Sequence, residues 1–144
     1  MMNPAEIRIA DWNNTDDRAA LRMIRKQVFI DEQQVPVELE WDEFDDSCTH
    51  FLAIENNSPV ATARLKTDGQ LGRMAVLKTC RHRGIGSALL NYILAYARRQ
   101  PLAEIYCHAQ LSALDFYRRH GFNEFGETFL DAGIVHRAMK IRLD

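Results

Sequence analysis

The sequence predicts an α/β fold: one domain built on a mixed β-sheet with helices on both faces. Three observations carry this. Seven short segments carry apolar residues in the pattern of strands, against three with helical spacing. Tight-turn sequences join several strands directly, while two helices lie between strands as crossovers. A chain of 144 residues suits a single hydrophobic core, so residues 1–144 are read as one domain.

The elements follow in order. Residues 6–12, EIRIADW, alternate apolar and polar and read as a strand. Asn14, Thr15 or Asp16 caps a helix running to about Phe29, with Leu21, Ile24, Val28 and Phe29 at helical spacing. An acid-rich stretch containing Pro36 follows, and its interleaved apolar residues predict an ordered edge or lid. Residues 49–56 and 59–67 are strands joined at NNSP, a hairpin turn sequence. After Asp68-Gly69, residues 70–77 form a third strand that pairs with the second. Ile85, Leu89, Tyr92 or Ile93, and Tyr96 mark one face of a helix whose end suits Arg98 and Arg99 and which Pro101 stops. Residues 103–109 form a short strand, and SALDFYRRH a short helix closed by Gly121. Two last strands flank the turn DAG. The order is β-α-α-β-β-β-α-β-α-β-β, with the acid-rich stretch as the second, minor α element.

Composition narrows the function classes. A net charge of −2 argues against general nucleic-acid binding. The longest mainly apolar stretch, Ala88 to Ala97, is too short to span a bilayer, so no membrane partner is expected. The opening MMNPAEIRIADW lacks the pattern of a secretory leader. Cys48, Cys80 and Cys107 are widely spaced with no CxxC, which predicts reduced thiols, a cytoplasmic setting and no catalytic cysteine.

The chemistry concentrates at Arg81-His82-Arg83-Gly84-Ile85-Gly86-Ser87, between a strand and a helix. Glycines let backbone amides approach a ligand, and a helix N-terminus leaves its first amides unpaired. Phosphates fit such a place, and Arg81 and Arg83 add forked donors. Neither familiar phosphate loop is present. No Lys completes a GxxxxGK[ST] loop, and Leu89 stands where a dinucleotide fingerprint has its third glycine.

Arg81, Gly84 and Gly86 form an RxxGxG pattern after the strand carrying Met74, Ala75 and Val76. Ala113, Phe116, Tyr117, Gly121 and Phe122 form AxxFYxxxGF one helix and one strand later. Together they resemble the GNAT superfamily of N-acetyltransferases, over nearly the whole chain. The resemblance implies a GNAT-like domain with splayed central strands. It also implies acetyl-coenzyme A as donor, no metal, and transfer to a primary amine by direct attack on the thioester. The pyrophosphate would lie on the amides of residues 82–87. The pantetheine would run along Met74, Ala75 and Val76, with Gln110, Ala113, Phe116 and Arg119 nearby. Gln110 departs from the Asn that the family often carries near this place. Tyr117 would protonate the coenzyme thiolate.

The general base is not fixed by the resemblance. Glu32, Glu38, Glu40, Asp42, His108, Glu127 and His136 are candidates, and His108 stands out at the end of a strand bordering the wedge. Residues 31–46 hold eight acids and no Lys or Arg. The resemblance implies that the region after the first helix helps build the acceptor site, so Glu32, Glu40, Trp41 and Asp42, with His136, are expected there, as a wall attracting a cationic small-molecule amine. The same stretch, with the strand ending in Arg64-Leu65, bears a weaker likeness to acyl-homoserine-lactone synthases. Two other readings stand beside the transferase: a non-catalytic coenzyme A-binding module, and acetylation of peptides or proteins. A homodimer is compatible with the family.

Overall fold

The computed structural model describes residues 5–144. Residues 1–4, the start of the stretch read for a leader, lie outside the described residues. Seven strands form one sheet: β1 (Glu6–Ala10), β2 (Thr49–Glu55), β3 (Ser58–Leu65), β4 (Gln70–Val76), β5 (Glu104–Gln110), β6 (Asn123–Asp131) and β7 (Ile134–Arg142). Their order across the sheet is β1-β2-β3-β4-β5-β7-β6, and only β4 and β5 run parallel to each other. Four α-helices accompany them: α1 (Thr15–Arg25), α2 (Val37–Glu40), α3 (Ile85–Arg98) and α4 (Leu114–Arg119). The expected mixed α/β architecture is present, including helices on both faces.

Local chemistry explains the boundaries. The Asn14 side chain accepts from the Asp17 amide and caps α1, and Asp16 and Asp17 sit in the first turn, where the helix dipole favours acids. The α-helical ladder does not continue to Phe29. From Lys26 to Glu32 the chain winds as a π-helix, a form that concentrates at functional sites. Asn56 and Asn57 turn the β2–β3 hairpin with φ of 51° and 64°, and Ala132 and Gly133 turn the β6–β7 hairpin with φ of 52° and 76°. Both pairs match the left-handed backbone that two-residue hairpin turns require.

Strand alternation divides the core between the two faces. Phe51 and Ala53 of β2 and Ala61 and Ala63 of β3 pack with Leu89, Leu90 and Ile93 of α3. Leu52 and Ala75 face the other way, against Leu21, Ile24 and Val28 of α1. On β5, Ile105, Cys107 and Ala109 join the α3 side, which turns His108 to the α1 side. A bulge in β4 shifts its alternation: Thr62 pairs with Ala75 and Arg64 with Gly72, so one extra β4 residue is accommodated. Arg73 lies in that bulge with a φ of 49°.

Candidate active site

The site originates in a failure of pairing. β4 and β5 are joined at Gln70–Tyr106 and Leu71–Cys107 only. Beyond that point β4 stays with β3, while His108, Ala109 and Gln110 pair with Ala138, Arg137 and His136 of β7. The strands diverge into a wedge, and a cavity of about 630 Å³ opens in it. Met74, Ala75 and Val76 line one side and Cys107 to Gln110 the other. Gly86, Ala113, Phe116 and Tyr117 close the α3–α4 side, and residues of the acidic stretch and the β6–β7 hairpin frame the rest.

The glycine loop lies at the wide end of the wedge. Gly84 is the N-cap of α3 with a φ of 83°, a conformation other residues rarely adopt. No side chain caps α3, so its first amides keep their donors. Gly86 lines the cavity, and a Cβ there would sit 3.5 Å from Phe116, an ordinary contact. These features fit an anionic ligand with a long thin arm. The arginines are placed differently from the expectation of free phosphate donors. Arg81 donates to the Val76 carbonyl at 2.9 Å and holds Glu32 with both Nη atoms at 2.7 Å. Arg83 meets Glu55 at 2.9 Å. His82 and Arg119 are exposed and off the cavity lining, Ile85 is a core residue, and Ser87 does not line the cavity.

Two proton-carrying groups approach the wedge from opposite faces. Tyr117, 8% exposed, enters from α4, and its hydroxyl donates to Met74 Sδ at 3.6 Å. Burial, with the nearby Cys107, raises this phenol far above its ordinary value, so it stays protonated. His108 lies on the α1 side, one residue beyond the Leu71–Cys107 pair that closes the wedge. His108 is exposed on the cavity side, and partial desolvation lowers its pKa below 6.5; Asp131 opposes the shift, while His136 and Lys66 add to it. His108 is therefore neutral at pH 7. His136, 8% exposed, donates from Nδ1 to the Ile134 carbonyl at 2.7 Å. Phe129 lies between the two histidines, edge-on to His108 at 5.0 Å and stacked with His136 at 5.9 Å. Cys107 also lines the cavity, but burial pushes its thiol up to about 12, which leaves it no nucleophile.

The acidic stretch does not form a negative wall. Glu40 and Asp45 both bind Arg25, which is 1% exposed, at 2.8 and 2.7 Å. Arg64 donates to Asp42 at 2.8 and 2.7 Å and to Asp45 at 2.9 Å. Arg73 adds a third cation, reaching the Glu40 carbonyl and Asp42 Oδ2 at 3.1 Å each. Three arginines thus meet three carboxylates. Burial raises the Asp42 carboxyl, but Arg64 and Arg73 outweigh it and bring it down to about 2. Glu40 and Asp42 do line the cavity; two other expected acceptor residues do not. Glu32 is turned to Arg81 at the loop end of the wedge. Trp41 lies under Arg22 and Arg25, at 4.6 and 5.0 Å from its ring, outside the cavity.

Sequence reasoning missed the arginines that neutralise this stretch, because they are remote in sequence and an isolated Arg reads as surface. Arg25 carried one signal: it falls on the apolar stripe of α1, one residue after Ile24 and three before Val28. Gln33 was also missed; its amide oxygen accepts from Gln110 Nε2 at 2.8 Å across the wide end of the wedge. Gln110 therefore lines the cavity as expected, bonded to a partner that no motif indicated.

Comparison with known proteins agrees with this geometry. The family model described as Acetyltransferase (GNAT) domain matches residues 14–143. The uncharacterized N-acetyltransferase YjcF of Bacillus subtilis (strain 168) is 34% identical over 120 residues, covering 81% of this chain and 86% of its own. An acyl-CoA N-acyltransferase from Pseudomonas aeruginosa superposes with a TM-score of 0.83 at 26% identity, over 94% of this chain and 98% of its own. Escherichia coli ElaA superposes with a TM-score of 0.85 at 25% identity, over the same shares. With both sequence motifs set around one wedge and nearly the whole chain matched, this protein belongs to the GNAT acetyltransferase family.

Proposed function

We propose that the protein transfers an acetyl group from acetyl-coenzyme A to a primary amine of a small molecule, with no covalent enzyme intermediate. The observation that carries this reading is the placement of Tyr117 and His108 on opposite faces of one wedge. The pantetheine arm fits between β4 and β5, and the pyrophosphate fits the uncapped amides of α3 next to Gly84 and Gly86. The thioester then lies toward the closed end, between phenol and imidazole.

The amine nitrogen attacks the thioester carbonyl, its new N–C bond forms, and the C–S bond breaks. His108, neutral at pH 7, takes the proton lost by the amine. The departing thiolate takes the proton of the Tyr117 hydroxyl, whose present acceptor, Met74 Sδ, is weak and readily displaced; the phenolate regains a proton as product leaves and His108 releases its own to solvent, which restores both groups. Cys107 stays protonated beside them, in keeping with direct attack. Holding both reactants in one cleft supplies the larger part of the acceleration, since the chemistry itself is a simple acyl transfer.

Calorimetric titration with coenzyme A, followed by initial rates of thiol release at crossed concentrations of acetyl-coenzyme A and amine, tests this reading. Tight binding by the wild type, its loss in Gly86→Trp, and intersecting rate plots are expected. Coenzyme A binding unchanged in Gly86→Trp, or parallel plots diagnostic of an acyl-enzyme, contradicts it.

A further inference from the structure

The same cavity holds two cations with donors to spare. The Arg73 guanidinium makes all its hydrogen bonds through Nη2, to the Leu39 and Glu40 carbonyls and Asp42 Oδ2. Its Nη1 donates to no group among the described residues. Its Nε is enclosed and lacks an acceptor; Glu40 Oε2 is 3.2 Å away but off the N–H direction. An enclosed donor without a partner is costly, and so is the positive φ at which the β4 bulge holds this residue. Strain of this kind clusters at ligand sites; the enclosed Nε cannot itself reach a ligand, and Nη1 is the donor left for one. Lys66 lines the same cavity. Its ammonium sits 3.7 Å from the centre of the Phe44 ring and pairs with no carboxylate among the described residues. His108 and Asp131 line the same cavity, and the charges of Asp131 and Lys66 both act on that imidazole.

We propose that the acceptor is an amino-acid-like molecule, an amine that also bears a carboxylate, with the carboxylate held by Arg73 and Lys66 and the amine turned toward His108. The proposal rests on the transferase reading and names its substrate class. A guanidinium and an ammonium lining one cavity match a carboxylate in charge and in the donors they offer. Of the acids lining the cavity, Glu40 and Asp42 are already paired with Arg25, Arg64 and Arg73, which leaves Asp131 as the one beside the imidazole.

Thiol release from acetyl-coenzyme A is measured with α-, β- and γ-amino acids, each beside its amide and its decarboxylated amine. At least one carboxylate-bearing member should exceed both neutral counterparts by tenfold or more in kcat/KM. Lys66→Met should cut that preference severalfold, and Arg73→Lys should retain part of it. Equal or better turnover of the neutral forms overturns the proposal, as does an unchanged preference in Lys66→Met. A second measurement needs no turnover: the Tm shift given by N-acetylated amino acids and by their amides, with coenzyme A present. If no amine is turned over, a carboxylate-specific shift that Lys66→Met abolishes keeps the anion site and overturns the transfer. Equal shifts from acids and amides overturn the site itself.

Discussion

In the proposed mechanism Tyr117 and His108 divide the proton work, since alternation along β5 and the approach of α4 put them on opposite faces of one sheet. His108 acts only when neutral, and partial desolvation has moved its pKa below 6.5. The rate kcat/KM should therefore be level near pH 7 and fall with a one-proton slope somewhere below pH 6.5. In His108→Gln the rate should drop roughly 100-fold and that acid limb should vanish. A pH profile of the variant that keeps the limb assigns the base elsewhere, and His136 is then the group to replace. Tyr117 and the loop glycines were legible because their motifs lie close together in sequence. Arg73 was not, since its role depends on a bulge that brings it to Glu40 and Asp42 from more than thirty residues away.

At the scale of elements, hairpins and amphipathic helices followed the sequence closely. Their determinants are local: Asn-Asn and Asp-Gly turns, the Asn14 cap, and the Leu89–Ile93 face. The π-helical run Lys26–Glu32 was not legible, because tertiary ties fix it. Glu32 and Gln33, consecutive at the end of that run, reach Arg81 beyond β4 and Gln110 at the end of β5, so the segment is clasped to both sides of the wedge. The α3 N-terminus is a simpler case. Gly84 holds a φ of 83°, and a Cβ at this position would meet nothing within 4 Å, so its requirement is conformational, not steric. Gly84→Ala should lower stability by about 1–2 kcal/mol, read by denaturant titration, and weaken coenzyme A binding as the loop shifts. A variant that keeps full stability contradicts the left-handed cap.

For the whole molecule, the balanced cluster of Arg25, Arg64 and Arg73 with Glu40, Asp42 and Asp45 joins α1, the acidic stretch, β3 and β4 into one body. Asp42 titrates at about 2 in the folded chain, against an ordinary 3.8. The unfolded state thus takes up its proton first as pH falls. The Asp42 contribution to stability is complete above about pH 4 and is lost as pH falls toward 2. Asp42→Asn should be less stable at neutral pH and should lose less stability over that interval, measured by urea unfolding at stepped pH. An identical pH slope in the two proteins would show that the carboxylate is not ion-paired.

The central claim is that this wedge carries acetyl transfer with Tyr117 as the acid. Its most direct test is thiol release from acetyl-coenzyme A, scored across a panel of primary amines in wild type and Tyr117→Phe, with the acetylated product identified by mass. The account predicts equimolar thiol and N-acetylated amine from the wild type. It also predicts a rate lower by about 100-fold or more in Tyr117→Phe, at similar coenzyme A affinity. Coenzyme A binding with no thiol release from any amine, or equal rates in the two proteins, would contradict it.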